Sequence, residues 1–143
     1  MNAQATFSHL SRVLTGERTL PDRLVTLYLK RLGRDPDAAP LLDPLLTKFA
    51  GQAAAPDFDV ERFRTDISSD PELGPLVRRI VVLWITGALP KVDWATATKP
   101  EQKLDYLDDP IAFFGALMWP LMAAHVPGLS GGYFGYWRYP PEN

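Results

Sequence analysis

A chain of 143 residues, 46% hydrophobic and with a net charge of only -2, has room for one domain with a substantial core, which excludes a disordered body. Its cations are scattered (Arg12, Arg18, Arg23, Lys30, Arg31, Arg34, Arg78, Arg79), so the basic stripe of a nucleic-acid binder is missing and no nucleic-acid partner is expected. With no cysteine, disulfides, thiolate metal sites and a cysteine nucleophile are excluded, although the compartment is left open.

Helical periodicity runs along most of the chain, and no alternating strand pattern stands out. Residues 6–14 set Phe7, Leu10, Val13 and Leu14 on one stripe, and Gly16 is a natural stop. A second helix is predicted from Pro21. There Thr19 and Asp22 resemble a capping box, and Pro is tolerated in the first turn because its missing N–H had no helical partner. Leu24, Leu27, Tyr28 and Leu32 form its apolar face, and Gly33 ends it. A third helix over residues 38–50 carries Leu41, Leu42, Leu45, Leu46 and Phe49. Pro44 removes one of its backbone hydrogen bonds, which leaves a start near Asp43 as the alternative. Residues 51–56 read as a surface connection.

Residues 59–67 follow, with Val60, Phe63 and Ile67 at helical spacing and Asp57 or Asp59 as the cap. Asp70 and Pro71 restart the chain into the strongest helix, residues 71–86. Its second half is apolar on nearly every side and is expected at the bundle centre. Gly87 stops it, residues 89–99 read as a loop, and Thr98 with Glu101 suggests a short helix ending near Tyr106. Asp108, Asp109 and Pro110 open a further helix over residues 111–118. From Val126 onward the pattern changes: eighteen residues hold four Gly, three Pro and five aromatics, and neither helix nor strand periodicity survives. The expected fold class is all-α, a single-domain bundle of about five to seven short helices over residues 1–125, with an irregular aromatic tail over 126–143.

The search for chemistry returns little. His9 and His125 belong to no HxxxH or HExxH spacing that sets two imidazoles on one helix face, so packing or capping is expected of both. Asp57, Asp59, Asp105, Asp108 and Asp109 precede apolar runs, where a carboxylate caps the free N–H groups of a helix start. Ser130 lacks the GxSxG spacing of a nucleophile elbow, and the glycines around it match neither GxGxxG nor the P-loop. No catalytic residue, cofactor-binding residue or metal ligand is therefore expected in this chain. The rival enzyme reading requires Asp108, Asp109 and His125 to share a pocket under the tail. The longest apolar window, residues 111–126, is shorter than the roughly 20 residues that cross a bilayer. The first six residues carry no charged region, apolar core or twin arginine, so no export signal is expected in them.

The tail is the densest feature. Tyr133, Phe134, Tyr136, Trp137 and Tyr139 concentrate large, rigid contact area in seven residues, and are the expected partner-binding residues. Such a segment either anchors in another protein's pockets or folds back to seal its own core, as in a free-standing helical adaptor. The residues alone leave both open.

Three blocks carry a resemblance: residues 7–16 (FSHLSRVLTG), residues 80–87 (IVVLWITG) and residues 135–141 (GYWRYPP). In this order and separation the chain resembles the small (gamma) subunit of membrane-bound FAD-dependent sorbitol, fructose and glucose dehydrogenases. The resemblance implies a chain without a cofactor of its own, bound to a large subunit that contains FAD and performs the oxidation. A cytochrome c subunit passes electrons to quinone and anchors the complex, so contact with the membrane is indirect. The small subunit of such complexes supports maturation of the large one and typically brings a twin-arginine leader that exports the folded pair. The implied location is the periplasmic side of the inner membrane, with the cytoplasm as the alternative because no leader is visible here. Some members tie the two subunits through a cysteine before the final Trp; residues 126–132 have none, so the association is expected to be non-covalent.

Overall fold

The computed structural model describes residues 2–91, 104–106, 112 and 115–118. Five helices follow one another among them: α1 (Ala3–Thr15), α2 (Asp22–Leu32), α3 (Ala39–Ala53), α4 (Val60–Ser69) and α5 (Gly74–Thr86). The all-α bundle expected from periodicity is what forms. The one addition is a short antiparallel pair, β1 (Ala88–Pro90) with β2 (Leu104–Tyr106), in the register Ala88 to Tyr106, Leu89 to Asp105 and Pro90 to Leu104. This corrects the expected loop after Gly87 and the expected short helix ending near Tyr106. Three residues are too few to print a period-two pattern, and the pairing joins segments that local signals treat separately.

Caps explain where most helices begin and end. The Asn2 side chain accepts from the Gln4 N–H at 3.0 Å, so α1 starts earlier than its apolar stripe indicated. It ends at Gly16, in the left-handed conformation (φ 79°), with the Gly16 N–H on the Arg12 carbonyl at 2.9 Å. The capping box at Thr19 does not form. Pro21 is the extended N-cap of α2, without a side-chain bond, and Asp22 places a carboxylate in the first turn. The start of α3 at Ala39 settles the alternative at Asp43, with Pro44 inside the helix. Pro40 and Pro44 are both exposed, so water can take the carbonyl that Pro44 leaves unbonded. The helix also runs on through Gly51 to Ala53, where a surface connection was expected. Asp59 caps α4 by accepting from the Arg62 N–H at 3.0 Å.

The turns into α3 and α5 share one design. Asp35-Pro36 and Asp70-Pro71 each stand four residues before the helix, with a second Pro, Pro40 or Pro75, in its first turn. Each carboxylate accepts two backbone N–H groups: Asp35 those of Asp37 and Ala38, Asp70 those of Glu72 and Leu73, all at 2.9–3.1 Å. The strongest helix therefore begins at Gly74 rather than at Pro71, because residues 71–73 form this capped turn. Gly74 is required for another reason. A Cβ there would lie 2.6 Å from the Ser68 carbonyl oxygen, closer than side chains approach backbone.

The core is centred on α1, which packs against all four other helices. Phe7, Leu10, Tyr28, Leu32, Leu45, Ile80, Leu83 and Trp84 are fully buried within it. Burying each such side chain stabilises the fold by roughly 1.5–3 kcal/mol. Tyr28 and Trp84 meet edge to face at 4.7 Å and lock α2 to α5. His9, Phe49, Phe58 and Phe63 form a second ring cluster that joins α1, α3 and α4.

Candidate interaction surface

The C-terminal half of α5 organises the side of the molecule from which the chain continues toward its tail. Gly87 adopts φ 73° and donates to the Leu83 carbonyl, so the chain turns out of the helix and β1 lies back against it. Leu117 returns to the same place, its N–H on the Trp84 carbonyl at 3.0 Å. Two of the carbonyls that a helix end leaves free are thus taken, one by the turn and one by a residue thirty-three positions on. Of the helix expected over residues 111–118 or beyond, residues 115–117 are not helical. Residues 115 and 117 lie in turns, and the Leu117 N–H bonds to α5.

Arg79 fixes this region from beneath. The residue is 5% exposed, and its guanidinium reaches the Asp35 carboxylate through two bonds of 3.2 and 3.0 Å, while its Nε donates to the Pro90 carbonyl at 2.7 Å. One side chain thereby joins α5, the turn before α3 and the end of β1. Burial pushes the Asp35 carboxyl up. The Arg79 bond and charge, with the N–H groups of Ala38 and Asp37, outweigh it and hold the group below the ordinary carboxylate range. Neither Asp35 nor Arg79 stood out in the sequence. An Asp before Pro signals the turn, but nothing local pairs it with a cation 44 residues away.

Leu83 and Trp84 are fully buried, as their stripe indicated. Among the described residues the indole Nε1 has no hydrogen-bond partner, and what Trp84 contributes there is packing. The second half of α5, expected at the bundle centre, is buried on only part of its circumference. Val81, Val82 and Ile85 are half-buried, because α1, α4 and β1 cover only part of the helix. Leu14, Val77, Val81 and Val82 floor an open groove of about 440 Å³ between α1, α4 and α5, rimmed by Arg64, Ser68 and Arg78. Arg64 is engaged by the Glu61 carboxylate and the Val13 carbonyl, both at 2.6 Å. Arg78 is exposed and bonds only the Ser68 carbonyl among the described residues, at 3.0 Å.

The other residues singled out by sequence have structural surroundings or lie elsewhere. His9 packs edge-on against Phe49, with ring centres 5.0 Å apart. Asp59 is a cap, and Asp57 is exposed beside it. Among the described residues no cluster of His, Asp and Glu could hold a metal ion. Tyr133, Phe134, Tyr136, Trp137 and Tyr139, like Asp108, Asp109, His125 and Ser130, lie outside the described residues.

The family model for membrane-bound, FAD-containing D-sorbitol dehydrogenase matches residues 1–141. The chain belongs to this family. The resemblance carried by its three sequence blocks is thereby borne out, and no curated protein matches it. The D-sorbitol dehydrogenase family is that of a membrane-bound oxidoreductase complex, and among the described residues no helix is long and apolar enough to cross a membrane. The family's flavin finds no fitting cradle in the described residues. The pyrophosphate of FAD is held by N–H groups at a helix start reached through a glycine-rich turn. Here the two glycines of positive φ, Gly16 and Gly87, stand at helix C-termini, where carbonyls are free instead.

Proposed function

We propose that this chain is the non-catalytic small subunit that binds the FAD-containing large subunit of a membrane-bound sugar or polyol dehydrogenase, stabilises it and assists its maturation and export. The observation that carries the reading is the family match over residues 1–141 of a chain whose described residues form a helical bundle. The mechanism is mass action. A partner that binds only the folded large subunit stabilises it by roughly 4 kcal/mol at a thousandfold excess over Kd. Tyr133, Phe134, Tyr136, Trp137 and Tyr139 are the proposed anchors, with the rigid α5 end at Leu83 and Trp84 supporting the segment that leads to them. Contact is non-covalent, since the chain has no cysteine. FAD belongs to the partner, a cytochrome c subunit completes the assembly at the periplasmic side of the inner membrane, and this chain meets the membrane only through them.

Co-expression of the large subunit with and without this chain tests the proposal. More FAD-loaded, active enzyme is expected with it, and equal yields refute it. Removal of residues 128–143 then tests the anchors. Lost binding at an unchanged Tm is expected, whereas a collapsed Tm with binding retained makes the tail a lid over its own core.

A further inference from the structure

We infer that the apolar groove of Leu14, Val77, Val81 and Val82 is a docking site for an apolar segment of the large subunit that carries a carboxylate, which pairs with Arg78. The inference rests on the proposed function and names a surface for it within the described residues. Charge complementarity identifies the occupant. The groove floor is four aliphatic side chains, and its two guanidinium groups differ in how they are occupied. Arg64 already has the Glu61 carboxylate at 2.6 Å, so its charge is met within the chain. Arg78 has no carboxylate partner among the described residues, and its single bond to the Ser68 carbonyl leaves most of its N–H donors free. An exposed guanidinium beside half-buried valines suits a ligand that is apolar along one side and anionic at its edge. A purely apolar occupant would cover Arg78 without meeting its charge, and a cationic one would be repelled.

The groove is bounded by α1, α4 and α5. Val77 is 2% exposed and packs into the core, so the floor does not shift to admit a ligand. A groove of about 440 Å³ is one pocket of an interface rather than a whole one. It therefore acts together with the tail anchors.

The test uses the full chain and the purified FAD-loaded large subunit, with calorimetric titration at low and high salt. Val81→Asp and Arg78→Glu are each expected to weaken binding by about tenfold or more. Arg78→Lys is expected to retain most of it, and the Arg78→Glu loss is expected to shrink as salt rises. Gln52→Asp, on the polar groove beside Asp57 and Asp59, adds elsewhere the single negative charge that Val81→Asp adds and is expected to bind as the parent does. Arg78 is exposed, so Arg78→Glu decides the matter if Val81→Asp does not fold. No binding by the parent chain overturns the proposed function itself. Parent binding that both groove variants retain overturns only the groove. Unchanged binding by Val81→Asp, whatever its urea midpoint, overturns the inference. So does a concentration-dependent dimer that Val81→Asp abolishes without affecting the large subunit.

Discussion

Asp35 and Asp70 open two turns of the same local chemistry, each an Asp-Pro pair whose carboxylate takes two backbone N–H groups ahead of a helix with Pro in its first turn. Their surroundings differ. Asp35 is buried and bridged by Arg79, itself buried and bonded to Pro90, whereas Asp70 meets Lys48 at 2.6 Å on the surface. A local motif fixes the path of a turn. The energetic weight of that turn depends on what the rest of the fold brings to it, because a charge pair out of water is dominated by desolvation and an exposed one is screened.

The largest effect that tests this contrast is Arg79→Ala. Asp35 then keeps its two backbone N–H bonds and only the longer Arg31 contact at 3.9 Å, and the loss is expected to cost about 3 kcal/mol in urea unfolding, the lower end for a broken buried pair. Lys48→Ala is expected to leave the midpoint near that of the parent chain. Similar losses from the two would erase the distinction. Replacing Asp35 and Arg79 together by apolar residues should recover a large part of the loss, since the pair is costly mainly when broken.

Next comes the helix start that each turn feeds. Gly74→Ala forces a Cβ against the Ser68 carbonyl and is expected to cost about 1–3 kcal/mol by thermal or urea unfolding. The matching position at the start of α3 is already an alanine, Ala39, so the requirement for glycine belongs to the α4–α5 contact and not to the turn.

The smallest effect is seen in acid. The Leu73 N–H, the Lys48 ammonium and the Glu72 N–H hold the Asp70 carboxyl down to about 2 from 3.8. The folded state therefore binds fewer protons than the unfolded one. The stability this group contributes is complete above pH 3.8 and lost as pH falls through about 2. Asp70→Asn should flatten the decline in stability across that window. An unchanged acid profile would show that the surface turn contributes nothing measurable.

Much of the bundle was legible one residue at a time. Gly16, Gly33 and Gly87 end their helices, Asp59 caps α4, and the apolar stripes name most of the core, from Phe7 to Trp84. These signals survive because a cap, a left-handed glycine and a 3.6-residue stripe act within a turn or two of chain. The candidate surface was less legible. The run of apolar residues in the second half of α5 placed it at the bundle centre, yet Val81 and Val82 stay half-open, and a single helix cannot state how many neighbours it will have. The β1–β2 pair and the Leu117 bond to Trp84 were hidden for the same reason.

By itself, then, the sequence determined an all-α bundle, most of its helix ends, its core stripes and its family, since all of these rest on local pattern. Tertiary structure alone decided that Arg79 reaches Asp35 and Pro90, that Gly74 must be glycine, and that one face of α5 remains a groove with an arginine at its edge. Those outcomes depend on distances between residues far apart in the chain, and only packing sets such distances.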